Sequence, residues 1–172
     1  MGRARRAVQG REAMKEEDLS FAALSAITCR FTRQQYRENE DGFFCEILIA
    51  SFEGEYRHGG AGNDDAIYMA AMLRAAFSAW HPAALVLDFE HLIYEWGDYM
   101  DAPLRASEEE RRWEGGIPTA VVASALNERG LRSLVDEVMG DDPDDWLCPS
   151  RDAAIARVLE KWKQKRAAAG HA

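Results

Sequence analysis

The sequence predicts an α/β domain, a mixed sheet of four to five strands with helices packed over it, and three observations predict it. ALVLDF at 84–89 and PTAVVAS at 118–124 are short unbroken apolar runs, the pattern of strands buried on both faces. Around them lie segments with apolar residues at three- and four-residue intervals, which is helical spacing. Strand and helix then alternate through the second half of the chain, which implies helices laid on a largely parallel or mixed sheet. With 172 residues, 47% hydrophobic and 10% aromatic, the chain suits one domain with one sizeable core. The expected organisation is a flexible basic arm at 1–18, a single domain at 19–166 and a flexible tail at 167–172.

The elements follow in order. Residues 1–18 crowd Arg3, Arg5, Arg6 and Arg11 with few large apolar residues, and Met14 is an alternative start. Ser25–Phe31 and Phe43–Phe52 are rich in β-branched and aromatic residues, and NEDG at 39–42 supplies turn residues between them, so a hairpin is expected. After EYRHGGAGNDD at 55–65, whose last two residues suit capping, a helix is predicted from Asp65 to Trp80. Its apolar stripe is Ile67, Met69, Ala70, Leu73, Ala76, Phe77 and Trp80, and Pro82 ends it.

The ALVLDF strand leads to a cluster of Tyr94, Glu95, Trp96, Gly97 and Asp98. Asp98 or Asp101 can cap the next helix, with Pro103 in its first turn, and that helix runs through SEEERRWE to Gly115 and Gly116. Beyond PTAVVAS, a short helix from Gly130 to Val138 should turn Leu131, Leu134, Val135 and Val138 inward before the acidic turn GDDPDD at 140–145. Trp146–Cys148 reads as a brief strand. Ser150 caps the final helix, whose inward face is Ala154, Ile155, Val158, Leu159 and Trp162. Its Lys161, Lys163, Lys165 and Arg166 read as solvated surface.

A net charge of −9 argues against general nucleic-acid binding, since neutralising phosphates needs a basic face. No apolar run approaches the roughly 20 residues that cross a bilayer, and no apolar core follows the Arg-rich start, so a cytoplasmic protein is expected. Cys29, Cys45 and Cys148 are odd in number and widely spaced. They suit small buried hydrophobes in strands better than a disulfide framework or zinc site, with Cys148 beside Pro149 the most ambiguous.

The order hairpin, helix, VLDF-type strand, helix, VVAS-type strand, short helix, brief strand and final helix resembles the STAS domain, the sulfate-transporter and anti-sigma-factor-antagonist fold. Leu85–Leu92 is similar to that family's LVLDLSGV-type strand, and LCPSRDAAIARVL to its closing strand and helix. The resemblance covers about residues 25–162 and implies a STAS-like, non-catalytic regulatory module that works through another protein. With Asp88 on the family's strand aspartate, Trp96, Gly97 and Asp98 fall where it has an acidic residue and two serines. Gly97 has no hydroxyl, so the usual phosphoacceptor serine is absent, while Asp98 leaves a permanent negative charge there.

A second resemblance is to crotonase-fold enzymes. Tyr94–Asp98 and Pro118–Leu131 are similar to that family's Phe-Ser-Ala-Gly-Ala-Asp segment and the apolar strand after it. It implies an acyl-CoA-binding enzyme whose oxyanion hole would be the backbone amides of Gly97 or Asp98 and of Gly130.

Other chemistry is thinly represented. HGGAGN at 58–63 could approach an anion, but it lacks the P-loop ending and carries Asp64 and Asp65 beside it, so a turn is the simpler reading. Asp88, Glu90 and His91 are ligand types, yet strand alternation would place His91 opposite the other two, so no metal and no cofactor is expected. Asp88 should instead satisfy backbone N–H groups at the strand end. No nucleophile, base and orienting group assemble, so no catalytic residue is assigned. The expected contact residues toward another protein are Tyr94, Glu95, Trp96, Gly97, Asp98 and Asp101, at the carboxyl end of a central strand where ligands of α/β sheets dock. Self-association as a homo-oligomer is left open.

Overall fold

The computed structural model describes residues 18–37, 44–109 and 116–169. The expected arm, the NEDG turn and the end of the SEEERRWE segment lie outside or largely outside them. Strands β1 (Thr28–Arg37) and β2 (Phe44–Glu55) form the expected antiparallel pair, in a register that joins Thr28 to Glu53 and Arg37 to Phe44. Helix α1 (Asn63–Trp80) crosses to β3 (Ala84–Asp88), which lies parallel to β2. A two-residue strand β4 (Leu92–Ile93), α2 (Asp101–Glu109) and β5 (Thr119–Val122) follow, then α3 (Glu128–Ser133) with a π-helical turn at Leu134–Met139. Short α4 (Pro143–Trp146), β6 (Leu147–Cys148) and α5 (Arg151–Ala169) complete the fold.

The sheet order is β1-β2-β3-β5-β6, with β4 paired to β2, so the mixed sheet has six strands where four to five were expected. The difference lies at Phe89–His91. The chain leaves β3 after Asp88 instead of running straight to Leu92, and the Leu92 N–H closes a turn on the Phe89 carbonyl at 3.0 Å. Leu92 and Ile93 then pair with Gly54 and Glu55, where β2 outreaches β3. Glu90 and His91 are consequently exposed turn residues, not members of a strand.

β3 is buried along its whole length, and its side chains divide between two cores. Leu85 and Leu87 join Leu48, Ala50, Phe52 and Val121 under α1, α2 and α3, while Ala84 and Val86 join Ile47, Ile49, Ala120 and Val122 under α5. Strand alternation requires this division, and burial of each such branched side chain is worth about 1.5–3 kcal/mol. Cys45 is buried as expected and Cys29 partly so, and Cys148, which the sequence left ambiguous, is buried too.

Several helix details depart from expectation. α1 opens on Gly62 with no side-chain cap, because Asp65 turns inward. Ile67 and Trp80 are exposed, so the buried stripe is Ala66, Met69, Ala70, Leu73, Ala76 and Phe77. α1 ends with His81 in the left-handed region (φ 45°) just before Pro82. Val138 is exposed because the π-helical turn changes the residues per turn and rotates it away from the core. Ser150 caps α5 as expected, its Oγ accepting from Ala153 N at 3.3 Å. α5 continues through Ala169, past the expected boundary at 166, along alanines, the strongest helix formers. Its cations are more than solvated surface: Lys161 donates to the carbonyls of Asp145 (2.8 Å) and Thr119 (3.3 Å), and Lys165 to that of Gly116.

Candidate functional site, an aromatic and acidic corner

The 94–101 corner is built around Tyr56, which follows β2. Its ring meets Tyr94 edge-on at 5.3 Å, and its hydroxyl donates to the Asp98 carbonyl at 2.6 Å. Glycines make this close approach possible. A Cβ on Gly62 would stand 2.3 Å from the Tyr56 ring, and one on Gly97 2.6 Å from it. Gly130 does the same from α3, where a Cβ would meet the Glu95 carbonyl at 2.4 Å. Burial pushes both phenols up, Tyr94 to about 12.

Two backbone donors of the corner are spent inside the protein. Asp98 N–H donates to the Gly59 carbonyl at 3.2 Å and Tyr94 N–H to the Leu126 carbonyl at 3.2 Å. The Asp98 amide, one of those an oxyanion hole would use, is therefore already engaged. Gly60 also has the Asp98 carboxylate against it, 3.8 Å from where a Cβ would be, so a carboxylate of the chain itself already lies on the glycine turn that was weighed as an anion site.

The side chains sort differently from the backbone. Tyr94 is only 4% exposed and Gly97 is packed on Tyr56, so both support the corner. Trp96 is 58% exposed, its indole lying over Gly59 and stacking on His58 with centroids 5.6 Å apart and planes 6° from parallel. Glu95 is exposed, with a carboxylate oxygen 3.7 Å from His58 Nε2, and Asp98 is exposed. Asp101 sits half-buried at the start of α2, 3.7 Å from Arg105. Sequence reasoning missed Tyr99, which is 64% exposed at φ 62°, and the roles of Tyr56 and His58. Nothing in the local sequence around 56 or 94 marked the ring pair, nor the positive φ of Tyr99.

Behind the corner, Asp88 ends β3 as a buried acceptor. It takes the Glu90 N–H at 3.2 Å, as expected, and in addition Ser51 Oγ at 3.1 Å and the guanidinium of Arg151. Arg151 thereby ties the start of α5 to β3. Among the described residues no three His, Cys, Asp or Glu side chains converge as a metal site, and no helix is long and apolar enough to cross a membrane.

No family model matches the chain, and no curated protein matches it significantly. Solved structures do. It is similar to an anti-sigma factor antagonist from Mycobacterium paratuberculosis, at 19% identity and TM-score 0.49 over 76% of this chain and 95% of that one. It is similar also to the anti-sigma factor antagonist SpoIIAA in its unphosphorylated form, at 16% identity and TM-score 0.46 over 75% of this chain and 97% of that one. The Bacillus cell fate determinant SpoIIAA in the phosphorylated form aligns at 14% identity and TM-score 0.42 over 74% and 99%. The likeness is one of fold. The order of elements that the STAS resemblance implied is the order this structure has, with β4 and α4 as additions.

Proposed function

We propose that this STAS-like domain is a non-catalytic regulatory module that another protein reads at the 94–101 corner. The observation that carries the proposal is the split between backbone and side chains. The N–H groups of Tyr94 and Asp98 are consumed internally, while Trp96, Tyr99, Glu95 and Asp98 project from a platform fixed by Tyr56, Tyr94 and Gly97. Exposed Trp and Tyr on a rigid base suit an interaction hot spot, because little side-chain entropy is lost when a partner covers them. Glu95 and Asp98 present exposed carboxylates beside Trp96, which favours a partner that presents basic groups, with an Arg able to lie over the Trp96 ring. Gly97 and Asp98 offer no hydroxyl for phosphate, so the charge at this point of the fold is constant.

The test is the affinity of Trp96→Ala and Asp98→Ala for a protein captured by the wild type, with folding followed by circular dichroism. A loss of about tenfold or more for folded Trp96→Ala supports the proposal, and unchanged affinity for both variants refutes it. The enzyme reading predicts that acyl-CoA raises the melting temperature through binding to the native state. With the Asp98 amide engaged, no rise is expected at millimolar acyl-CoA.

A further inference from the structure

β1 spans ten residues at the edge of the sheet and, among the described residues, pairs only with β2. Such an edge presents a row of N–H and C=O groups open to another strand. At the opposite edge β6 offers only two residues.

The open strand has a chemical bias. TCRFTRQQYR carries Arg30, Arg33 and Arg37 and no Asp or Glu, in a chain of net charge −9. Arg33 reaches Glu46 at 3.1 Å with its own side chain 56% exposed, and among the described residues Arg30 and Arg37 have no acidic partner. Beside the strand, Phe31 and Trp80 pack with centroids 5.5 Å apart, and with Thr32, Arg33 and Leu48 they wall a notch of about 230 Å³. Trp80, whose helical spacing predicts burial, is 44% exposed at this notch.

We propose that β1 is a docking edge for an acidic, extended segment of a partner protein, which adds to the sheet as a further strand. The main-chain ladder supplies affinity that is indifferent to sequence. Selectivity comes from an apolar side chain in the Phe31–Trp80 notch and from carboxylates beside Arg30, which strand alternation places on the opposite face. A second copy of this chain fits less well, since pairing β1 with itself gathers three arginines from each strand along one seam with no carboxylate in either. A nucleic acid would answer the charge but has no peptide groups to complete the ladder. The corner packs on the first turn of α1 and the notch on its last, so the two surfaces are separate and either assignment can fail without the other.

The experiment is fluorescence anisotropy of the full chain with a pool of labelled eight-residue peptides that alternate Leu or Val with Asp or Glu. Three comparison probes are used: the same pool with Lys for the acids, the same pool N-methylated at alternate amides, and an oligothymidylate. The acidic pool should bind, and the N-methylated pool and the Lys pool should each bind about tenfold more weakly or less. Arg30→Glu and Trp80→Ala, both at exposed positions, should weaken binding while the circular dichroism spectrum stays that of the wild type. The proposal is overturned by absence of binding to the whole acidic pool at millimolar concentration, by undiminished binding after N-methylation, or by oligothymidylate binding more tightly than the peptides. Concentration-dependent dimerisation of the wild type that Arg30→Glu strengthens would overturn it as well, by assigning the edge to a second copy.

Discussion

Asp65 shows how one buried carboxylate fixes the entrance to the corner. It is 1% exposed and accepts from Ser25 Oγ at 2.6 Å, from Arg57 N at 3.0 Å and from two nitrogens of the Arg57 guanidinium at 2.9 Å. Burial alone would raise its pKa, but these donors hold it below the usual carboxylate value. The native state therefore binds fewer protons than the unfolded chain in mild acid. The stability Asp65 contributes is complete above its unfolded pKa of about 4 and is lost as pH falls through the lower folded value. Asp65→Asn should cost about 2 kcal/mol at pH 7, read from urea midpoints, and the gap from wild type should narrow below pH 4. Cys45 gives the opposite dependence. Burial pushes its thiol up to about 11, so its contribution is complete below the ordinary thiol pKa and falls away as pH rises from 9 toward 11. In Cys45→Ala the loss of stability between pH 9 and 11 should be smaller than in wild type. An equal loss in the two proteins would place the alkaline sensitivity elsewhere.

At the level of elements, β3 and α5 hold the molecule together across the sheet, and the pairing of buried Asp88 with half-buried Arg151 joins them. Arg151→Ala removes the guanidinium from a carboxylate that is 4% exposed, leaving only Ser51 and the Glu90 N–H as donors. It should destabilise by about 2–3 kcal/mol, whereas Asp152→Ala, an exposed neighbour, should fall within about 0.5 kcal/mol. β3 itself was legible because a strand buried on both faces must be apolar at every position, and ALVLD leaves no other reading. The partner of Asp88 was not legible, since it lies 63 residues further along the chain and no local pattern joins them. β4 escaped for a related reason: two residues have no period, and Phe89 prolongs the apolar run while the chain is already turning. The outward rotation of Val138 depends on a π-helical turn that helical spacing cannot announce. The Arg57–Asp65 pairing likewise reversed the expected capping role, because a carboxylate satisfied by a guanidinium has no need of a helix N-terminus.

Taken whole, the molecule presents two faces of unlike charge from one sheet. An acidic corner with outward aromatics caps one end of α1, and an arginine-bearing edge strand borders the other. The corner's position followed from the end of the ALVLDF strand. Which of its rings is buried was not legible, because the burial of Tyr94 depends on Tyr56, 38 residues earlier in the sequence, arriving beside it (94 minus 56). Whether another protein covers Trp96 and Tyr99 is read by hydroxyl-radical footprinting of the full chain with and without its captured partner, with oxidation at each aromatic side chain followed by mass spectrometry. Oxidation of Trp96 and Tyr99 should fall severalfold in the complex. Unchanged oxidation at both, with protection appearing elsewhere on the molecule, would overturn the proposed role of the corner.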